Sequence, residues 1–278
     1  MDVQINGCRI HYELEGKGEP PIMTLHGGPG LSDGSEARKW VGPLTEEHLC
    51  VFYDHRGNGR SEDPPEETLT HAQFVADAEA LRAHLGFDKM ILFGGSYGGY
   101  FALEYALTYP DRVTHLILRG TAAWGGPPDE ALETALARGV RADKEVLRRL
   151  FDGRVSSNEE YQDLFRLIYP LYSTQYDPAM LEKAMASRHW HYKTHNKVYG
   201  VERKRYDLRD RLKDIRVPTL VLVGRHDWIT PPKYSEEIAA GIPGAQLHIF
   251  EDAGHAVHSD VPDEFFKTIR AFLAHNTS

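Results

Sequence analysis

Two cysteines are too few to staple a fold of 278 residues, and no stretch approaches the roughly 18 consecutive apolar residues of a membrane span. Cys8 and Cys50 both fall in strand-like runs, where a small buried thiol is the expected state and a reducing compartment suits it. Basic residues are also in the minority. Lys and Arg number 32 against 41 Asp and Glu, a net charge of −9, which repels nucleic-acid phosphate and anionic lipid surfaces. No Gly, Pro or Ser tract is long enough for disorder, so collagen-like and mucin-like chains are excluded with the disulfide scaffolds. The opening stretch MDVQINGCRIHYELEG carries neither a basic n-region nor an apolar h-region. The expectation is a soluble, cytoplasmic protein whose partner is a small molecule or short peptide, with no nucleic acid and no membrane.

What is present is an ordinary globular composition, 41% hydrophobic and 26% charged, in a length that fits two domains or one α/β domain with an insertion. Short apolar runs alternate with amphipathic stretches, which predicts strands traded with helices. Val3 to Ile5 and Arg9 to Leu14 flank Asn6-Gly7, a dipeptide suited to the positive φ values of a tight hairpin. Further strands are expected at Ile22 to Leu25, Leu49 to Tyr53, Met90 to Phe93, Val113 to Leu118, Leu220 to Val223 and Gln246 to Phe250, eight in all. Helical spacing of apolar residues appears in His71 to Leu85 and again from Phe265 to Leu273. Between Leu118 and Leu220 lie about 100 residues with helical patterns and no convincing strand, far more than a crossover needs. The reading is a core domain of residues 1–124 and 207–278, interrupted by a helical cap over 125–206. Gly125 to Asp210 holds 15 basic and 14 acidic side chains, so the negative charge belongs to the core, and seven of the 14 tyrosines fall between Tyr161 and Tyr206.

The sharpest local signal is Gly94-Gly95-Ser96-Tyr97-Gly98, between the apolar run Met90 to Phe93 and the helix-like Tyr100 to Leu107. Strand, Gly-x-Ser-x-Gly and helix together form a nucleophile elbow, in which small neighbours let strand and helix close around a strained serine. An alcohol needs a base to take its proton, and the base needs a partner to fix its tautomer. In such elbows the acid and then the histidine follow the serine, each on a loop after a late strand. Asp227 follows Leu220 to Val223, and His255 follows Gln246 to Phe250. His226, His258, Asp252 and Asp260 are rivals; loop position favours Asp227 and His255. A fourth element, His26-Gly27-Gly28-Pro29-Gly30, follows the strand Ile22 to Leu25. Acyl transfer develops negative charge on a carbonyl oxygen, and the backbone N–H groups of Gly28 and Tyr97 are assigned as its oxyanion hole.

These motifs, with Asp54-His55-Arg56-Gly57-Asn58-Gly59-Arg60-Ser61 between them, resemble the α/β-hydrolase superfamily over residues 1 to about 122 and 208 to 275. More narrowly they resemble its proline iminopeptidase branch, with the related archaeal tricorn-interacting aminopeptidase. The resemblance implies an eight-stranded, mostly parallel sheet with an inserted helical cap, cofactor-free hydrolysis through an acyl-enzyme, and an architectural role for the Asp54 to Ser61 loop. It also implies release of an N-terminal residue whose ammonium is held by acidic groups of the cap and the acid loop. At those positions stand Asn196 and Trp228, with Glu202 or Asp207 as possible substitutes. Trp124, Trp190, Asn196, Glu202, Tyr206 and Trp228 are the candidate substrate contacts. Without an acidic anchor, a neutral ester, lactone or amide competes with a peptide.

Other chemistries fail on particular residues. Epoxide or haloalkane hydrolysis on this fold needs Asp at position 96. His191 and His195 share a helix face but have no evident third ligand, so no metal is expected, and no phosphate-loop or dinucleotide fingerprint is present. A catalytically silent ligand sensor and an acyltransferase on the same triad remain as rival functions.

Overall fold

The chain turns first at Asn6 and Gly7, whose φ values of 49° and 73° close strand β1 (Asp2–Ile5) onto β2 (Cys8–Glu15). The computed structural model describes residues 1–127 and 129–275. Six more strands follow: β3 (Ile22–Leu25), β4 (Cys50–Tyr53), β5 (Met90–Gly95), β6 (Val113–Arg119), β7 (Thr219–Gly224) and β8 (Gln246–Phe250). They form one eight-stranded sheet in the order β1-β2-β4-β3-β5-β6-β7-β8. Only the β1/β2 and β2/β4 pairs are antiparallel. The eight runs expected from hydropathy are these eight strands, shifted by a residue or two at their ends.

Helices α1 (Gly34–Val41), α2 (His71–His84) and α3 (Tyr97–Thr108) follow β3, β4 and β5. Six more lie between β6 and β7: α4 (Glu130–Ala137), α5 (Lys144–Phe151), α6 (Asn158–Ile168), α7 (Pro178–Ser187), α8 (Tyr192–Lys197) and the single turn α9 (Arg203–Arg205). The chain ends with α10 (Pro232–Gly241), α11 (Val257–Asp260) and α12 (Pro262–His275). Alternation along the parallel strands sends side chains to two cores. Met23, Leu25 and Leu92 face α2, α3 and α10 through Phe74, Phe101 and Ile238. Ile22, Ile91 and Phe93 face α1 and α12 through Trp40, Phe265 and Ile269. Cys8 and Cys50 are buried and free, and burial pushes their thiols up to about 11 and about 12.

The helices between β6 and β7 have a core of their own. In α6 the buried residues Tyr161, Leu164, Phe165 and Ile168 recur at i, i+3, i+4 and i+7, and Ser157 caps the helix by accepting from Glu160 N. This face packs with Leu147, Phe151 and Met185, and with Leu31 and Trp228 from outside the β6–β7 segment. The two ends of this helical segment are joined by an antiparallel bridge between Trp124 and Asp207. Gly125 N donates to Tyr206 O at 3.1 Å, and Leu208 N to Ala123 O at 2.8 Å.

Candidate active site

β5 delivers Ser96 to the first residue before α3 with φ 54° and ψ −126°, a left-handed conformation that non-glycine residues rarely hold. Its N–H is fixed by the carbonyl of Arg119 on the neighbouring strand, at 2.8 Å. The turn is tight because its neighbours have no side chains. A Cβ on Gly98 would lie 1.9 Å from the Leu25 carbonyl oxygen, and one on Gly27 would lie 2.7 Å from Ser96 Cβ. β3 and its following loop therefore press directly against the serine.

Tyr97 begins α3, so its N–H has no carbonyl one turn earlier. Among the described residues no hydrogen bond uses the N–H of Gly28, which has φ 53°. The loop between them is held by histidine. His26 Nε2 accepts from His55 N at 3.1 Å, which puts the proton on Nδ1, where it donates to Gly27 O at 2.9 Å. The Tyr97 side chain is itself buried, bonded to His71 Nε2 at 2.8 Å and stacked on Tyr100.

The loop after β7 carries Asp227. Its Oδ1 accepts from Ile229 N at 3.0 Å and Thr230 N at 2.9 Å, and its Oδ2 accepts from Thr230 Oγ1 at 2.9 Å. That same Oδ2 stands 2.7 Å from His255 Nδ1. With its lone pairs filled, the buried carboxylate has one orientation, and it directs the Nδ1 proton of the imidazole toward itself. Arg119 Nη1 holds the His255 loop through the His255 carbonyl at 2.6 Å, and the ring of Tyr172 stands edge-on to the imidazole. Ser96, His255, Gly28 and Tyr172 line one cavity of about 150 Å³. A serine hydroxyl, an imidazole whose Nε2 is left free, and two unused N–H groups are the parts that acyl transfer needs.

The rival residues have other partners. Asp260 Oδ2 accepts from Gly254 N at 2.7 Å and Oδ1 accepts from Ser173, which ties the His255 loop to the β6–β7 segment. His226 is exposed, and its carbonyl accepts from Arg138. His258 lines the same cavity, where burial pushes it down to about 3. The Asp54 to Ser61 loop is architectural: Asp54 accepts from Gly34 N and Arg60 N, and Arg56 forms a buried forked pair with Asp77, 2.7 Å at Nη2. His191 bonds Asp63, and His195 bonds the Leu150 carbonyl. Among the described residues no group of three His, Cys, Asp or Glu could hold a metal ion, and no helix is long and apolar enough to cross a membrane.

A profile of the α/β hydrolase fold matches residues 20–262. The chain belongs to that family. This hydrolase is 34% identical over 277 residues to the proline iminopeptidase PfmaB of Pestalotiopsis fici, covering 98% of each chain. It is 31% identical over 287 residues to a proline iminopeptidase of Thermoplasma volcanium, covering 99% of its own length and 96% of that protein. Among solved structures, the enol-lactonase of Burkholderia xenovorans LB400 superposes with a TM-score of 0.81 at 26% identity, covering 99% of the hydrolase and all of the lactonase.

None of the six expected substrate contacts lines the cavity of Ser96 and His255. Asn196 clamps Val155, accepting from its N–H at 3.0 Å and donating to its carbonyl at 2.7 Å. Glu202 accepts from His71 N at 3.3 Å. Trp228 is buried against Phe151 and Tyr172, and Trp190 packs on Tyr161 and Phe165. Trp124 and Tyr206 line a separate cleft at the antiparallel bridge, where Asp207 is paired with Arg209. Helical periodicity told that these residues were packed but not which wall they faced. The cavity is instead lined by residues the sequence did not single out, among them Glu36, Trp40, Arg119, Tyr172, Arg188 and Tyr199. An arginine closing the apolar run Leu116 to Leu118, Arg119 beside the serine strand, was the signal available.

Buried histidines set the acid limit of stability. Burial lowers His26 and His55 below the ordinary 6.5, His195 to about 4 and His258 to about 3. The unfolded chain therefore binds more protons below pH 6.5, so stability is full above that pH and falls as pH drops toward the folded values. Glu36 adds to the loss lower down: burial alone would raise its pKa, but Arg188 and Lys39 hold it at about 2 against an ordinary 4.5. Thermal midpoints should hold from pH 7.5 to about 6.5 and fall from there to pH 4.5. His195→Gln, which keeps a donor for Leu150 O but cannot protonate, should make that slope shallower.

Proposed function

We propose that this hydrolase cleaves a small ester or lactone through an acyl-enzyme on Ser96. His255 Nε2 takes the hydroxyl proton as Oγ bonds to the acyl carbon, and Asp227 holds the resulting imidazolium. The oxyanion accepts from the N–H groups of Gly28 and Tyr97. His255 then passes the proton to the leaving oxygen as the acyl–oxygen bond breaks. Water, deprotonated by the same imidazole, releases the acid and regenerates Ser96. Residues 125–206 act as a cap over this site, and 1–124 with 207–278 as its core domain, with 128 and 276–278 lying outside the described residues. The observation that carries the reading is the 2.7 Å Asp227–His255 pair on a cavity shared with a serine in elbow geometry. No cofactor enters the scheme, and the two buried thiols suit the cytoplasm.

Release of N-terminal proline is the second reading, favoured by the two iminopeptidase relatives. The cavity argues against it, because among the described residues its one acidic wall residue, Glu36, is already paired with Lys39 at 2.6 Å and Arg188 at 3.6 Å. An ammonium would have to displace a cation to bind. The test is a fluorophosphonate label, expected on Ser96 by mass spectrometry, followed by rates on short esters, lactones and prolyl-naphthylamide. Esters or lactones turning over faster than the amide is the expected order; prolyl-naphthylamide as the best substrate restores the aminopeptidase, and an unlabelled Ser96 overturns both.

A further inference from the structure

The cavity beside Ser96 is lined by Trp40, Arg119 and Arg188, each of which keeps one buried N–H without a partner among the described residues. These donors are Trp40 Nε1, Arg119 Nε and Arg188 Nε. Trp40 is 1% exposed, Arg119 5%, and the Arg188 side chain 10%. An indole N–H and two guanidinium groups can never serve as acceptors, so only an incoming acceptor relieves them.

Charge points the same way. Arg119 has no carboxylate within ion-pair reach among the described residues; its acceptor is the His255 carbonyl, and its guanidinium lies 5.2 Å over the Trp40 ring. Burial draws its pKa down to about 10, which still leaves it charged at neutral pH. Arg188 donates to Leu31 O at 3.2 Å and Ser32 Oγ at 3.4 Å, and shares Glu36 Oε2 with Lys39. One carboxylate thus faces three cations. His258 is neutral, with an unpartnered Nδ1 on the same wall. Glu36 repels an anion at the Arg188 end, which places the optimum nearer Arg119 and Trp40. That position is close to the nucleophile, because Arg119 pairs with Gly95 in the β5/β6 register.

We propose that Trp40, Arg119 and Arg188 form a carboxylate subsite, so that the substrate is a half-ester of a short dicarboxylic acid, whose carboxyacyl group passes to Ser96 as the alcohol leaves. This rests on the acyl-enzyme reading above, and it gives the cationic wall a partner that neither a neutral ester nor an N-terminal amine supplies. Charge-assisted hydrogen bonds from guanidinium to carboxylate are the strongest the wall could make.

The test compares the p-nitrophenyl half-ester of glutaric acid with p-nitrophenyl pentanoate, which has the same carbon chain and no charge. The expected ratio of kcat/KM, anionic over neutral, is at least about tenfold at low salt. It should fall severalfold in Arg188→Met and also in Trp40→Phe, which keeps a ring and loses the N–H. A binding arm needs no turnover: glutarate should raise the thermal midpoint of the Ser96→Ala protein by about 2 °C, and not that of Ser96→Ala/Arg188→Met. A ratio at or below one with no glutarate shift overturns the subsite while ester hydrolysis leaves the acyl-enzyme reading standing. A ratio that survives both substitutions also overturns it. Should neither ester react while glutarate still binds through Arg188, the subsite stands and the acyl-enzyme reading falls.

Discussion

Ser96→Ala should lower kcat on an activated ester by about four to six orders of magnitude while the thermal midpoint moves by no more than about 2 °C. The two halves follow from different features. Without Oγ there is no atom for His255 to deprotonate and none to carry the acyl group, and what remains is the rate given by substrate binding and the two N–H groups. Stability is spared because Ala keeps the Cβ that packs against Gly27, and no hydrogen bond among the described residues uses Ser96 Oγ. The same residue gives a second readout: Ser96→Gly removes the φ 54° strain and should be equally inactive yet as stable as the parent or more so, by about 1 kcal/mol. Stopped-flow ester kinetics and calorimetry on the three proteins check both claims. An alanine variant retaining a tenth of the parent kcat would place the nucleophile elsewhere.

Gly98→Ala should be the most damaging single-methyl change in the core. Position 98 is helical, where alanine would ordinarily gain about 1 kcal/mol over glycine. Here the new Cβ would sit 1.9 Å from the Leu25 oxygen, 2.5 Å from the Leu25 carbon and 2.7 Å from the His26 oxygen. All three are backbone atoms of β3 and its exit, and β3 is paired on both sides, with β4 and β5. Helix and strand must separate, which opens the core across Leu25, Ala102 and Phe101. The expected loss exceeds about 4 kcal/mol, in the range reserved for overpacking and strain, or upwards of 10 °C in thermal midpoint. Gly139→Ala is the control. That glycine has φ 92° but no atom within 4 Å of the added methyl, so its loss should stay near about 1 kcal/mol.

The sheet was legible in the sequence because buried parallel strands are short apolar runs between breakers, and because Asn6-Gly7 announces its hairpin. The elbow at Ser96 was legible for a harder reason: hard-sphere contact at Gly98 and Gly27 forbids side chains there, so the motif is written by geometry. Asp227 and His255 were expected from their loops after late strands, and the fold brings their side chains together at 2.7 Å. The pocket was not legible. Asn196, Glu202 and Trp228 sit on helices and loops whose periodicity reports burial but not the neighbour that buries them. Arg119 ends β6, Trp40 lies on α1, and Arg188 lies just beyond α7. Their convergence depends on how the helices between β6 and β7 lie across the strand ends, which no local pattern encodes.

The contact between Gly98 and the end of β3 also acts as a gauge. It sets the separation of the loop carrying Gly28 from the helix beginning at Tyr97 by van der Waals radii, and such radii do not titrate, screen or exchange with solvent. Ionic strength and acidity, which alter every charged partner around the cavity, leave that spacing where it is. Below the onset of unfolding, a change of rate with pH therefore reports protons on side chains, and not a loosening of the frame that holds the two N–H groups.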